Sequence, residues 1–296
     1  MNILVVVKQS KLEWESITLG VTQEELVRKY SGERANLEAI MKSHYRQILT
    51  REAMHTAFPD ATFAMLSDYY ILNIPSYDLV IILGGDNSFT KVSHYITTTP
   101  VLGVNSDPQR GSGHLLNWSI NDPLDATALK ALLDDGDYKI EDWTRLEATV
   151  DCVPILDATS EYFLGERMRD KMSRHVVEYR GKSYEQKCSG LLVATGVGST
   201  GWYKSALWPS CSWDKCMVRA KFGATEVFGV TGGLMSGMDI HELSSSEELV
   251  VHSLNDDDGC VSVDAWDHYD FHRGSTARIT IGRPLKVVVP NKNKEQ

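Results

Sequence analysis

The stretch Leu79-Val80-Ile81-Ile82-Leu83-Gly84-Gly85-Asp86-Asn87-Ser88-Phe89 constrains the fold more than any other part of the chain. Its first five residues are all Leu, Val or Ile, the pattern of a strand buried on both faces. The run ends in two glycines, which take dihedrals closed to other residues and let a backbone approach a ligand closely. A helix is expected over residues 89–95, with Asn87 or Ser88 able to cap it. A strand, a tight turn and a helix in that order aim unpaired N–H groups and the positive end of a helix dipole at one point. Such a point suits a phosphate, with Gly84, Gly85, Asn87 and Ser88 around it. Asp86 would stand beside that anion, where a carboxylate can accept a hydroxyl proton or help to hold Mg²⁺. A tight turn with a capping aspartate explains the same residues about equally well.

The flanking sequence repeats the theme. Ile3 to Val7 and residues 100–104 are further short apolar runs, and residues 35–57 carry Leu37, Ile40, Met41, Tyr45, Ile48 and Leu49 at helical spacing. Strand, helix, strand, helix, strand describes a parallel sheet with crossover connections, whose ligands bind beyond the carboxyl ends of the strands. Residues 121–137 read as a helix and connector. From about Trp143 the texture changes to short β-branched runs between turn residues, around Val150, Val176, Leu192, Val250, Val261 and Ile279. This predicts an antiparallel, sandwich-like second domain. The expected organisation is an α/β domain over residues 1–120, a connector over 121–142 and a β-rich domain over 143–296, with a charged, frayed tail after Pro290.

A second glycine-rich stretch lies in that β-rich part. The apolar run Leu191-Leu192-Val193-Ala194 leads into Thr195-Gly196-Val197-Gly198-Ser199-Thr200-Gly201, followed by Trp202 and Tyr203. Small residues and hydroxyls there could hydrogen-bond a sugar or an amide, with the two aromatics as an apolar wall. A structural turn before a helix explains the stretch about half the time.

The formal net charge of −10 argues against general affinity for nucleic acid or an anionic membrane. It leaves room for a small anion held by backbone N–H groups. The longest apolar run near the start is too short for a signal peptide or a membrane span. Five cysteines (Cys152, Cys188, Cys211, Cys216, Cys260) without a C-x-x-C pair suit free thiols in a cytoplasmic setting. Asp256-Asp257-Asp258 before Gly259 reads as a turn.

Together the two glycine-rich stretches resemble the NAD kinase family. Gly84, Gly85, Asp86 and Phe89 match that family's Gly-Gly-Asp-Gly-Thr motif. Thr195, Gly198, Ser199 and Thr200 match its Thr-Gly-Ser-Thr-Ala-Tyr-like motif, with Trp202 near the aromatic. The stretch Gly103 to Pro108, and Gly113-His114-Leu115, are similar to the mitochondrial-type branch. The resemblance implies a NAD kinase/diacylglycerol kinase-like fold and phosphorylation of the adenosine ribose 2′-hydroxyl of NAD or NADH by ATP with Mg²⁺. Asp86 would be catalytic and Gly84, Gly85, Asn87 and Ser88 would hold the donor phosphates. Asn105, Ser160, Glu161, Thr195, Gly196, Gly198, Ser199, Thr200 and Trp202 would bind the dinucleotide. A homodimer or homotetramer is implied as well.

The chain departs from the motif at four places. Asn87 replaces a glycine, Ser88 a threonine, Ser160 the asparagine of an Asn–Glu pair, and Gly201 an alanine. The altered Asn87 and Ser160 give weight to a non-catalytic NAD(P)-binding sensor, while the Gly-Gly-Asp loop alone would also suit a lipid or sugar kinase. Arg167, Arg169, Lys171 and Arg174 could meet a phosphate, although a solvated loop is favoured two to one. His268 and His272 share a face but lack a third ligand for a metal. Asp264 reads as a turn aspartate, and Trp208 and Trp213 as core or subunit contacts.

Overall fold

The continuous apolar runs form the middle of a parallel sheet. The computed structural model describes residues 1–32, 37–68, 73–206, 212–228, 241–256 and 258–291. They fall into two units, residues 1–141 with 286–296, and residues 142–285. Asp257, Trp208, Cys211 and the tail after Asn291 lie outside the described residues.

In the first unit, Ile3–Val7 (β1), Thr62–Met65 (β2), Leu79–Gly84 (β3) and Val101–Asn105 (β4) run parallel in the order β2-β1-β3-β4. Every residue of β1, β3 and β4 is buried, as a sheet covered on both faces requires. Each fully buried Val, Leu or Ile contributes roughly 1.5–3 kcal/mol relative to exposure. The α-helices of this unit among the described residues are Lys11–Leu19 (α1), Gln23–Gly32 (α2), Leu37–Ala57 (α3), Asp86–Ser93 (α4) and Pro123–Asp135 (α5). α1 starts at a capping box in which Ser10 and Glu13 satisfy each other's backbone N–H, and it stops at Gly20 in the left-handed region. α5 is shorter than residues 121–137 because Asp122 is its cap and Gly136 ends it.

α4 corrects an expectation. It begins at Asp86, its cap is Gly85, and no side chain caps it, so neither Asn87 nor Ser88 plays that part. With Asp86 in the first turn, a carboxylate already faces the positive end of the helix dipole.

Among the described residues the second unit holds two six-stranded sheets. One orders Lys182–Cys188, Ser173–Tyr179, Leu249–Ser253, Thr276–Ile281, Leu146–Val150 and Val153–Pro154. The other orders His241–Ser244, Arg219–Thr225, Gly190–Ala194, Glu161–Glu166, Gly259–Val263 and Asp267–Asp270. Leu146, Val177, Val251 and Ile279 from the first share a core with Tyr162, Leu191, Phe222 and Val261 from the second. That is the predicted sandwich-like, antiparallel arrangement.

The last strand, Leu285–Pro290, departs from the expected layout. It leaves the β-rich part and pairs in parallel with β4, Val287 opposite Val101, so most of it belongs to the first unit. Its burial, with Leu285, Val287 and Val288 inside and Lys286 exposed, does not name its neighbour; the partner is a long-range choice that no local pattern records.

Candidate functional site

In the first unit the parallel strands end together, with β3 between β1 and β4. Lys8 N–H donates to Leu83 O at 3.0 Å and Ser106 N–H to Gly84 O at 3.2 Å, which stitches the three ends. A Cβ on Gly84 would lie 2.8 Å from Ser88 Oγ, so glycine is needed there and Ser88 packs inward, buried. Gly85 and Asn87 stand at the accessible edge; a Cβ on Gly85 would meet nothing.

Asp86 reaches across to the loop after β4. Its Oδ2 accepts the His114 N–H at 2.8 Å, and its Oδ1 accepts the N–H groups of His114 and Leu115 at 3.0 Å each. Gly113 makes this possible: its φ is +67°, and a Cβ would come within 3.0 Å of Asp86 Oδ1. A carboxylate offers about four acceptor positions. The backbone takes most of them, and a little capacity remains on the Oδ2 side.

Asn105, assigned to the dinucleotide, is buried at the end of β4 and serves the same loop. Its Nδ2 donates to Gly111 O at 2.7 Å and Ser112 O at 3.0 Å, while Oδ1 accepts the Asp107 N–H at 3.0 Å. Both amide protons are engaged. A cavity of about 120 Å³ lined by Arg46, Thr50, Ser106, Pro108 and Ile120 lies nearby. It contains none of the candidate residues and is smaller than a nucleotide site of several hundred Å³.

The second unit brings Ser160, Glu161 and the 195–200 turn together because Glu161 and Ala194 are register partners on adjacent strands. Thr195 is the pivot. Its N–H donates to Ser160 O at 2.9 Å, its hydroxyl to Thr159 O at 2.6 Å, and the same oxygen accepts the Val197 N–H at 3.1 Å. Ser199 is equally inward, donating to Gly196 O at 2.7 Å and accepting the Trp213 N–H at 3.2 Å. Both side chains are fully buried, so they build the turn and present no hydroxyl to a ligand. Gly196 packs on the Asp214 backbone, and a Cβ on Gly198 would lie 2.6 Å from Glu161 Oε2. Thr200 and Ser160 sit at the half-buried rim.

Glu161 is the chemically distinctive group. It is 9% exposed, and among the described residues its carboxyl has no hydrogen-bond partner. Burial, with the Asp264 carboxylate as a second cause, pushes its pKa up to about 8. Asp264 also anchors the strand entry: it accepts the N–H groups of Thr159, Ser160 and Glu161 at 2.9, 2.9 and 2.8 Å. The sequence pointed only to a turn aspartate, and its positive φ of 47° agrees with a turn.

The weaker candidates disperse. Arg167 pairs with Asp258 and Asp270, and Arg174 with Asp256. The Arg169 guanidinium lies 4.5 Å from the Phe163 ring and 4.7 Å from that of Trp202, so Trp202 is partly covered by a stacked cation. Tyr203 is not a wall but core, fully buried against Trp213. His272 faces Asp270 at 3.8 Å, and no group of three or more His, Cys, Asp or Glu side chains is arranged for a metal among the described residues. No helix among them is long and apolar enough to cross a membrane, and the four described cysteines are free thiols.

These features define an α/β protein with a Gly-Gly-Asp strand-to-helix turn, joined to an antiparallel unit with a buried glutamate beside a glycine-rich turn. No protein-family profile matches the chain. It is 33% identical over 137 residues to a NAD kinase of Chlorobium limicola, which covers 44% of each chain. To a NAD kinase of Pseudomonas aeruginosa it is 29% identical over 211 residues, 69% of this chain and 67% of that one. The chain spans about half the length of the first curated relatives it matches, 44% for the Chlorobium protein and 49% for one from Clostridium perfringens. Its fold is similar to the crystal structure of a NAD kinase from Archaeoglobus fulgidus in complex with ATP. That likeness has a TM-score of 0.64 at 16% identity, over 98% of this chain and 94% of that one. The chain is thus similar to NAD kinases in sequence over part of its length and in fold over nearly all of it.

Proposed function

We propose that the protein transfers the γ-phosphoryl group of ATP to the 2′-hydroxyl of the adenosine ribose of NAD or NADH. The observation that carries this reading is the Glu161 carboxyl, buried without a hydrogen-bond partner among the described residues, beside half-buried Ser160. A buried polar group left unpaired is expected to meet a ligand. Below about pH 8 this carboxyl is mainly protonated, so it can donate one hydrogen bond to a ribose hydroxyl and accept another. Asp264 fixes the backbone that presents it, and Thr195 and Ser199 hold the turn in shape.

In this reading the first unit holds the donor phosphates at Gly85 and Asn87, which stand at the accessible edge of the strand-to-helix turn. The donor set near Asp86 is compatible with Mg²⁺ in one way: a single carboxylate oxygen beside a phosphate site, with phosphates and water completing the shell. Bound so, the ion would neutralise charge developing on the transferring phosphoryl group. Asp86 itself, fixed by three backbone N–H bonds, orients the loop that carries His114 and Leu115. The reading carries with it a cytoplasmic location and a homo-oligomer.

Incubation of the purified chain with NAD, ATP and Mg²⁺ should yield NADP. A chain that binds NAD or NADP in calorimetry but forms no NADP would instead be a sensor. The departures at Asn87 and Ser160 make that the second reading to test.

A further inference from the structure

The carboxyl edge of the parallel sheet carries two cations that none of the glycine-rich motifs includes. Lys8 is the first residue after β1, and Arg110 lies five residues beyond β4. Since β3 runs between β1 and β4, Lys8 leaves the sheet on one side of the Gly84-Gly85 turn and the loop that carries Arg110 leaves it on the other, with the Arg110 charge felt at Lys8. Lys8 is close indeed: a Cβ on Gly84 would lie 3.1 Å from Lys8 Cβ. Arg110 is tethered by its N–H to Asp107 O at 3.0 Å, and its Nη1 lies 3.4 Å from Ser43 Oγ.

The carboxylates at this edge are occupied elsewhere. Asp107 accepts Ser43 Oγ–H at 2.5 Å and Arg46 Nε–H at 2.6 Å, and Asp86 is held by backbone N–H groups. Among the described residues neither Lys8 nor Arg110 has a carboxylate within ion-pair distance. Partial burial holds the Lys8 ammonium below the usual lysine range. Arg110 pushes it further the same way, against a smaller opposite pull from Asp107. Three cations at this edge, Lys8, Arg46 and Arg110, stand against two carboxylates, Asp86 and Asp107, and that surplus of positive charge beside a glycine turn favours a polyanion. Guanidinium supplies a planar fork for phosphate oxygens and ammonium a point charge.

We propose that Lys8 and Arg110 clamp the polyphosphate chain of the phosphoryl donor over the Gly84-Gly85 turn, and so recognise the donor as a polyanion without reading its base. The inference rests on the first unit being the donor side in the function proposed above. It explains how a turn with Asn87 in place of glycine can still hold a triphosphate: the side-chain cations add to a backbone cradle that is partly filled.

Calorimetry with inorganic tripolyphosphate, without nucleotide, tests it. Wild type should bind, Lys8→Ala/Arg110→Ala should bind about tenfold or more weakly, and Lys8→Arg should stay close to wild type. NAD affinity should be unchanged in all three. If the double variant fails to fold by circular dichroism, the single Lys8→Met variant takes its place. No binding of tripolyphosphate by wild type, or equal binding by the variants, overturns the proposal. A protein that makes no NADP, yet loses tripolyphosphate binding in the variants, would keep this anion site and lose the kinase reading.

Discussion

Asp264 holds Glu161 in place and repels it at once: Asp264 Oδ1 accepts the Glu161 N–H at 2.8 Å, while the Asp264 charge helps to keep the Glu161 carboxyl protonated up to about pH 8. The same aspartate that positions the strand entry therefore tunes the group presented there.

The first prediction is a pH dependence. Burial raises the folded pKa of Glu161 from the ordinary 4.5 to about 8, so its proton is bound more tightly in the folded state. Its contribution to stability is complete below about pH 4.5 and is lost as pH rises through about 8. Glu161→Gln cannot ionise and should escape that loss. Melting temperatures of the two proteins should converge near pH 5 and separate by pH 8.5, the variant being more stable by on the order of a few kcal/mol. Parallel curves would show that Glu161 ionises normally.

Two glycines of the same turn should behave oppositely. Gly198→Ala drives a methyl group into Ser160 O and Glu161 Oε2, and urea denaturation should show a loss of about 1–3 kcal/mol. A Cβ on Gly201 would find its nearest neighbour at 3.7 Å. Gly201→Ala, the residue usual in the family, should change stability by less than about 0.5 kcal/mol. Equal losses at both positions would contradict the packing of Glu161 on Gly198.

Asp86→Asn should lower turnover by about 10²-fold or more while leaving NAD affinity and folding nearly intact. The asparagine can still accept through its remaining oxygen, so the loop at His114 and Leu115 keeps part of its anchor. Wild-type turnover in this variant would remove Asp86 from the chemistry.

Asn87 stands at the accessible edge of the donor turn. Its replacement by glycine should change the apparent KM for ATP at saturating Mg²⁺ more than that for NAD. An altered KM for NAD alone would place Asn87 outside the donor site.

The sequence was most readable where burial is continuous. β1, β3 and β4 are built mainly of Val, Ile and Leu whose two-faced burial leaves little else they could be, and they fall within a residue of their expected ends. The start of α4 was not readable, because Asn87 and Ser88 are good caps by composition and only the backbone geometry at Gly85 decides the matter. α1 carries a local signal in its sequence, the capping box of Ser10 and Glu13 followed by Gly20. Asp264 and Leu285–Pro290 were beyond local reading. Asp264 bonds residues more than 100 positions earlier, and the last strand chooses a partner in the other unit's sequence. At the site, spacing found the Thr195–Thr200 turn but could not tell hydroxyls that build it from those that face outward. That distinction depends on where Ser160 and Glu161 lie on the neighbouring strand. Lys8 and Arg110 carried no motif; only the order of β1, β3 and β4 brings them to one edge.

The central claim is that this chain phosphorylates the adenosine ribose of a nicotinamide dinucleotide. The direct measurement uses the purified wild-type protein with NAD, Mg²⁺ and ATP labelled in its γ-phosphate, followed by chromatographic separation of the products. The account predicts label in NADP, at the 2′-position, with no product when NAD is omitted. Label that stays in ATP or appears only as inorganic phosphate, from a protein that binds NAD, would contradict it.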